Sequence, residues 1–334
     1  MNTRAQVLEL AIADAPAGRP ACPTLSCIVP AYNEAKNLPL LLTALVPALQ
    51  ALTPRWEIIV VDDGSRDNTA AALHPWLQKP GVRYLALSRN FGKEAALTAG
   101  LEHAHGQVVL MMDADGQHPL SLLPTLLQGW KDGADAVCAV RDTRADETWA
   151  KRLGTRLFYR IVNAGSPVPI PADAGDFRLL DRRVVNALLA LPERNRFLKG
   201  LYAWVGFRTQ FVPYTPDARV AGKSSFSMAR LLGLALTGLT AFSTLPLRLW
   251  GGVGALVALT AIGYGAWIVI EHLLYGNPVP GWPTVVVGLM FFSGVQLLSI
   301  GILGEYIGRI FDEVKRRPLY LLRETAGAGR IDGV

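Results

Sequence analysis

A chain of 334 residues is long enough for one large domain or two ordinary ones, and it can bury a core without disulfide or metal staples. Its composition, 51% hydrophobic and only 18% charged, with a mean hydropathy of +0.26, excludes a disordered chain. It also argues against a wholly soluble one, since soluble domains carry about 25% charged residues. The formal charge of +6, from 33 Lys and Arg against 27 Asp and Glu, fits a phosphate-bearing partner or an anionic membrane surface without choosing between them.

Residues 1–23 read as a flexible cytoplasmic leader. Glu9 and Asp14 interrupt its only apolar patch, so the unbroken apolar segment of a signal peptide is missing. Cys22, Cys27 and Cys138 are odd in number and lack CxxC spacing, which supports neither a disulfide framework nor a zinc cluster and points to a reducing compartment.

From residue 25 to 212 apolar strands alternate with helices. Strands are expected at Leu25–Pro30, Glu57–Asp62, Val82–Leu87, Val108–Met112 and Ala134–Val140. Helices are expected at about Lys36–Leu52, Asn68–Leu77, Lys93–Ala104 and Ser121–Lys131. Continuous apolar strands separated by helices predict an α/β, mainly parallel, Rossmann-like sheet covered on both faces, with ligands at the carboxyl ends of the strands. No internal repeat is present.

Two charge-free stretches follow, Leu249–Ile270 and Trp282–Gly304, each about long enough to cross a ~30 Å hydrocarbon core. They predict two transmembrane helices within 246–308; a pair of buried core helices is the competing reading. Arg230 and Arg248 precede the first, and Arg309, Lys315, Arg316 and Arg317 follow the second, while the link Glu271–Gly281 holds no Lys or Arg. The positive-inside rule then makes the link extracytoplasmic, and the large N-terminal part and the segment 309–334 cytoplasmic. Ser225–Leu239 fits either an amphipathic helix in the headgroup layer or the first turns of a longer span. Gly251, Gly252, Gly254, Gly288, Gly294, Gly301 and Gly304 would permit close helix approach, so a homo-oligomer is expected.

Polar residues cluster at the expected strand ends: Pro30-Ala31-Tyr32-Asn33-Glu34, then Asp62-Asp63-Gly64-Ser65, then Asp113-Ala114-Asp115-Gly116-Gln117. Asp63 or Ser65 equally suits the turn or cap before the helix that contains Asn68. Asp113 and Asp115 are less easily structural, because like charges held together at a buried strand end are costly. A hard cation such as Mg²⁺ or Mn²⁺, bound with a substrate diphosphate, would relieve that cost. The absence of a Walker A loop and of a GxGxxG turn argues against a P-loop enzyme or a dinucleotide oxidoreductase.

These three clusters, with Ser88-Arg89-Asn90-Phe91-Gly92-Lys93, His118-Pro119 and Gly175-Asp176-Phe177-Arg178-Leu179 in the same order, resemble the family-two inverting glycosyltransferases with the GT-A fold. More closely, the chain resembles the polyprenyl-phosphate glycosyltransferases, the group of dolichol-phosphate mannose synthase and the bactoprenol glucosyltransferases. The likeness spans about residues 24–322, including both spans and Leu303-Gly304-Glu305-Tyr306-Ile307-Gly308-Arg309-Ile310. It implies a catalytic domain at 24–218 and an acceptor loop with a juxtamembrane helix at 219–245.

The resemblance implies that Pro30, Tyr32 and Glu34 line the nucleotide site, that Asp62 contacts the base, and that Asp113 faces the sugar and ribose. Asp115, with Gln117, would hold the metal, and Asp176 matches the carboxylate proposed as base. Gly116 departs from the pattern, where Leu is common. The Gln-x-x-Arg-Trp motif of processive synthases is missing, which favours single transfer. The expected function is transfer of one sugar, glucose, from UDP to undecaprenyl phosphate at the cytoplasmic face of a bacterial inner membrane, in cell-envelope chemistry. Transfer of 4-deoxy-4-formamido-arabinose is the runner-up, and a non-catalytic sugar-nucleotide-binding membrane protein is the reading from another class. No motif supports nucleic acid.

A lipid phosphate lies at headgroup level, so Arg219, Lys223 and Arg141 are candidates for the acceptor phosphate. Arg219 and Lys223 also fit binding to anionic headgroups, although Arg219–Ser225 resembles the family's mobile acceptor loop. A phosphate with a second pKa of about 6 is largely ionised already, so Asp176 need only orient it or take a residual proton. Arg178 suits a structural ion pair as well as a catalytic role. His118 reads as a helix cap before a metal contact, and Lys93 either reaches a phosphate or opens its helix.

Overall fold

The computed structural model describes residues 19–142, 174–194, 196–215 and 281–328, with isolated positions between 254 and 274 and at 331. The chain runs β1 (Leu25–Ala31), α1 (Asn37–Leu52), β2 (Trp56–Asp62), α2 (Thr69–Leu77), β3 (Val82–Leu87), α3 (Lys93–His103) and β4 (Val108–Met111). It continues through a 3₁₀ turn (Leu120–Leu122), α4 (Leu123–Lys131), β5 (Ala136–Arg141), β6 (Ala174–Asp181), α5 (Arg182–Ala190), α6 (Leu198–Trp204), β7 (Thr209–Tyr214), α7 (Trp282–Lys315) and β8 (Leu322–Ala326). Among the described residues the strands form one sheet in the order β7-β5-β6-β4-β1-β2-β3-β8.

The central strands β4, β1, β2 and β3 are parallel, as apolar runs joined by helical crossovers require. β6 lies antiparallel between β4 and β5, β7 runs parallel to β5, and β8 is antiparallel to β3. The sheet is therefore mixed: six of its eight strands share one direction, as the expected mainly parallel sheet requires, and β6 and β8 run against them. The sequence pattern does not mark β6, β7 and β8, which carry polar or charged residues such as Asp176, Arg178, Gln210, Arg323 and Glu324 and so lack the apolar run of the central strands.

Alternate side chains of each central strand point to opposite faces and build two core layers. Cys27, Val29, Ile58 and Val60 meet Leu38, Leu42, Leu45 and Leu49 of α1 and Leu126 and Trp130 of α4. Ile28, Ile59, Val61 and Leu85 meet Leu97 and Leu101 of α3, Val184 and Leu188 of α5, and Leu198 and Leu201 of α6. Apolar area buried on both sides, at roughly 25 cal/mol per Å², makes the sheet a rigid base for the loops at its carboxyl edge.

Two segments outside the expected catalytic domain pack on its sheet. Arg19, assigned to a flexible leader, donates to the carbonyl of Ala134 at 2.7 Å, pairs with Asp135 at 3.0 Å and stacks over Trp130 at 4.9 Å. The C-terminal segment returns to the sheet as β8: Ser88 N–H donates to Leu321 O at 2.8 Å, and Gly81 N–H to Ala328 O at 2.9 Å.

α7 is a 34-residue helix, about 50 Å long at 1.5 Å per residue. Its segment Phe291–Lys315 is the one helix among the described residues that is long and apolar enough to cross a membrane, and its apolar window is 0% buried. The helix continues past the expected end at Gly304, and near its end Glu313 accepts the backbone N–H of Arg194 at 2.8 Å. Most of the expected first span 249–270 and all of 219–245, with Arg219 and Lys223, lie outside the described residues, so a second span is not established.

Candidate active site

The loops after β1 and β2 are laced together at the carboxyl edge. Asn33 adopts a left-handed conformation, φ 59°, a region that Asn tolerates better than most residues. It lets Asn33 N–H donate to Ser65 Oγ at 2.8 Å while Asn33 Oδ1 accepts Arg66 N–H at 2.9 Å. Glu34 N–H donates to Thr69 Oγ1 at 3.0 Å, which ties the loop to the start of α2. Tyr32 is left 42% exposed, so its ring is available to a ligand. Glu34 is half-buried, and burial together with Asp115, Asp67 and Asp113 raises its carboxyl above the usual range, against the pull of Asn37.

Asp62, expected at the base, is only 1% exposed. Its Oδ1 accepts Ser65 N–H at 2.8 Å and its Oδ2 accepts the Tyr84 hydroxyl at 2.7 Å. One oxygen thus serves the turn and the other the neighbouring strand β3, which fixes the carboxylate at the end of β2. Asp63 does not cap α2 either. It reaches across to the next strand end and accepts Phe91 N–H at 2.7 Å and Gly92 N–H at 2.9 Å, which fixes the loop that delivers Lys93. Gly64, φ 68°, packs so closely there that a Cβ would fall 2.4 Å from the Arg89 carbonyl carbon.

After β4, Asp113 and Asp115 face the same edge. Gly116 sits at φ 72°, a region natural to Gly, which accounts for Gly where Leu was expected. Gln117 N–H donates to Asp115 Oδ1 at 3.1 Å, and Arg141 Nη2 donates to Gln117 Oε1 at 3.1 Å. The expected metal residues and one expected acceptor residue are thus neighbours. His118 is buried and flat against Phe177, with centroids 4.5 Å apart and planes 5° apart. Its Nδ1 accepts Asp113 N–H at 3.1 Å, and burial pulls its pKa down, so it is a neutral brace of the aspartate loop.

Lys93 opens α3 and does more than start a helix. Its Nζ is 2.6 Å from Asp113 Oδ1 and 2.6 Å from Asp176 Oδ2, joining the ends of β4 and β6. Burial opposes the charge of the Asp176 carboxylate, but Lys93, Lys199 and Arg178 outweigh it and hold the carboxyl well below the usual range. The two carboxylates in turn outweigh desolvation and hold the Lys93 ammonium above its usual range. Beside them, Glu94 is pushed up to about 7 by burial and then by Asp176, although its side chain accepts Leu198 N–H at 3.3 Å. Arg178 forms no carboxylate pair among the described contacts: it donates to Gly175 O and stacks over Tyr202 at 3.7 Å.

Asp115 and its neighbour Glu34 offer carboxylate oxygens, as a hard divalent cation requires, and Asp115, Asp67 and Asp113 all act on the Glu34 carboxyl. Among the described residues no group of three such side chains forms a ready cage. The set suits a cation that shares its coordination with a ligand's phosphates and does not suit a structural metal. Sequence reading missed the approach of Lys199 and Glu94 to Asp176 and the Tyr84 brace, because strands and helices far apart in sequence bring them together. The pairing of Glu94 with Lys93 at the start of a helix was the available signal.

Comparison with known proteins adds sequence relationships. The model of the family described as "Glycosyl transferase family 2" matches residues 26–189, and that of the "GtrB C-terminal hairpin" matches residues 245–310. The SfII prophage-derived bactoprenol glucosyl transferase of Shigella flexneri is 44% identical over 303 residues, 90% of this chain and 98% of that protein. The uncharacterized glycosyltransferase sll0501 of Synechocystis is 42% identical over 304 residues, 91% of this chain and 96% of that protein. The prophage bactoprenol glucosyl transferase homolog of Escherichia coli K12 is 40% identical over 302 residues, covering 90% and 99%.

Proposed function

The chain belongs to glycosyl transferase family 2 and is a glycosyltransferase, and from that premise we propose that it moves a single glucose from UDP-glucose to undecaprenyl phosphate at the cytoplasmic face of a bacterial membrane. The observation that carries this reading is the meeting of Asp113, on the loop that bears Asp115, with Asp176 across Lys93 at the carboxyl edge of the sheet. The polyprenol acceptor and the glucosyl group are supported by relatives named bactoprenol glucosyl transferases, 44% identical over nearly their whole length. An exposed apolar helix that joins the domain through Glu313 suits an enzyme working on a lipid.

In this reading Pro30, Tyr32 and Glu34 line the nucleotide site, Asp62, held by Ser65 N–H and the Tyr84 hydroxyl, contacts the base, and Asp113 faces the ribose and sugar. Asp115, with Gln117, would hold Mg²⁺ or Mn²⁺, which when bound supplies Lewis-acid neutralisation of the leaving diphosphate. The acceptor phosphate oxygen attacks the anomeric carbon on the face opposite UDP. The C–O bond to the β-phosphate breaks, its electron pair leaves with UDP, and the configuration inverts. A dianionic acceptor has no proton to give up, so Asp176, held ionised by three cations, acts by orientation and not as a strong base. Arg219, Lys223 and Arg141 are the proposed acceptor-phosphate contacts.

The test is UDP release by the purified full-length protein, with and without polyprenyl phosphate, across a panel of nucleotide sugars and with the mass of the lipid product measured. Release that requires both the lipid and a divalent cation supports the reading. Release independent of lipid would contradict it.

A further inference from the structure

Asp113, on the loop after β4, and Asp176, on the neighbouring strand β6, both hold the Lys93 ammonium at the place where, on the reading above, sugar and acceptor meet. Two carboxylates at this site would repel an incoming phosphate. Like charges about 4 Å apart repel by about 4 kcal/mol at an effective dielectric near 20, which is enough to keep a dianion out. The cation between them is Lys93, at 2.6 Å from each carboxylate.

The placement of Lys93 is built in. It is the first residue of α3, preceded by Gly92 at φ 101°, and the loop before it is clamped by Asp63 through Phe91 N–H and Gly92 N–H. Gly64 leaves room for that loop, since any Cβ there would strike Arg89 and Asn90. The side chain is 42% exposed, so the ammonium reaches the cleft and is not sealed in the core. Lys199 on α6 and Arg178 on β6 add further positive charge around Asp176.

We propose that Lys93 is the positioning residue of this site: its ammonium fixes Asp113 and Asp176 relative to each other and neutralises them, so that an anionic acceptor can approach the anomeric carbon. Asp63, through the loop before α3, aims that ammonium. The proposal rests on the transferase reading given above and goes beyond it by assigning to Lys93 the coupling of the donor-facing and acceptor-facing carboxylates.

The experiment compares the full-length wild-type enzyme with Lys93→Met, Lys93→Arg and Asp115→Ala in one detergent. It measures kcat, KM for polyprenyl phosphate, and UDP affinity in the presence of Mn²⁺. Lys93→Met should lower kcat/KM for the lipid by about 100-fold or more while UDP affinity stays within about 3-fold. Lys93→Arg should recover at least about 10-fold of that loss, because a cation is restored near both carboxylates. Thermal unfolding of Lys93→Met and Lys93→Arg reports that both have folded before their kinetics are compared. Turnover of Lys93→Met within about 3-fold of wild type would overturn the proposal. An equal loss of UDP affinity would overturn it too, since Lys93 would then be a donor-phosphate ligand. Failure of the underlying reading looks different: Asp115→Ala would keep Mn²⁺-dependent UDP binding.

Discussion

The His118 imidazole lies parallel to the Phe177 ring, 4.5 Å away, and its Nδ1 accepts the N–H of Asp113. One buried side chain therefore locks the aspartate loop after β4 onto β6, the strand that carries Asp176. His118→Ala removes a stacked ring and leaves the Asp113 N–H without its partner. The expected cost is about 2–4 kcal/mol of stability, measured by denaturant unfolding.

Gly64 tests the contact between the second loop and the loop before Lys93. Its φ of 68° and the 2.4 Å approach of a built Cβ to Arg89 leave no room for a side chain. Gly64→Ala should lower stability by about 3 kcal/mol or more and depress turnover in the surviving folded fraction, read by thermal unfolding and by activity per folded molecule.

Glu94 sets a pH dependence whose sign is fixed by the direction of its shift. Its carboxyl is raised from 4.5 to about 7, first by burial and then by Asp176, so the folded state holds a proton that the unfolded state has lost across that window. The Glu94 contribution therefore makes stability fall as pH rises from about 4.5 to about 7, after which it is flat. Glu94→Gln keeps an acceptor for Leu198 N–H and cannot ionise. It should flatten that slope and gain on the order of 1–3 kcal/mol relative to wild type at pH 8, checked by urea unfolding at several pH values.

Removal of residues 316–334 takes away β8 and leaves β3 as an exposed edge. Loss of that pairing and of the Ser88 contact to Leu321 should lower Tm by about 5 °C or more and promote association through the bare edge. An unchanged Tm would mean that β8 contributes little to the sheet.

Much of this was legible in the sequence, for physical reasons that differ by element. Leu25–Ala31 and Trp56–Asp62 are apolar on both faces because helices cover both, and such runs stand out. The polar clusters after them, and Asp113 and Asp115, fall at the carboxyl edge because parallel strands all end there. β6 and β8 did not stand out, since antiparallel neighbours let short strands carry charge. Nor could the sequence tell which partner Asp63 would take: a local cap and a bond to Phe91 and Gly92, 28 and 29 residues away, look alike until β2 and β3 are paired. The same holds for Lys93, whose two carboxylate partners lie on the loop after β4 and on β6, far apart in the chain.

Asp176→Asn separates the chemistry from binding. It should lower turnover by about 100-fold while UDP affinity stays within about 3-fold, read by steady-state kinetics beside calorimetric UDP binding. Unchanged turnover would remove Asp176 from the reaction.

The most direct measurement is the mass of the lipid product when the purified full-length enzyme meets UDP-glucose, undecaprenyl phosphate and Mn²⁺. The account predicts a lipid heavier by one hexose and one UDP released per product, with both lost on chelation of the metal. A lipid carrying several hexoses, or UDP released with the lipid unchanged, would contradict it.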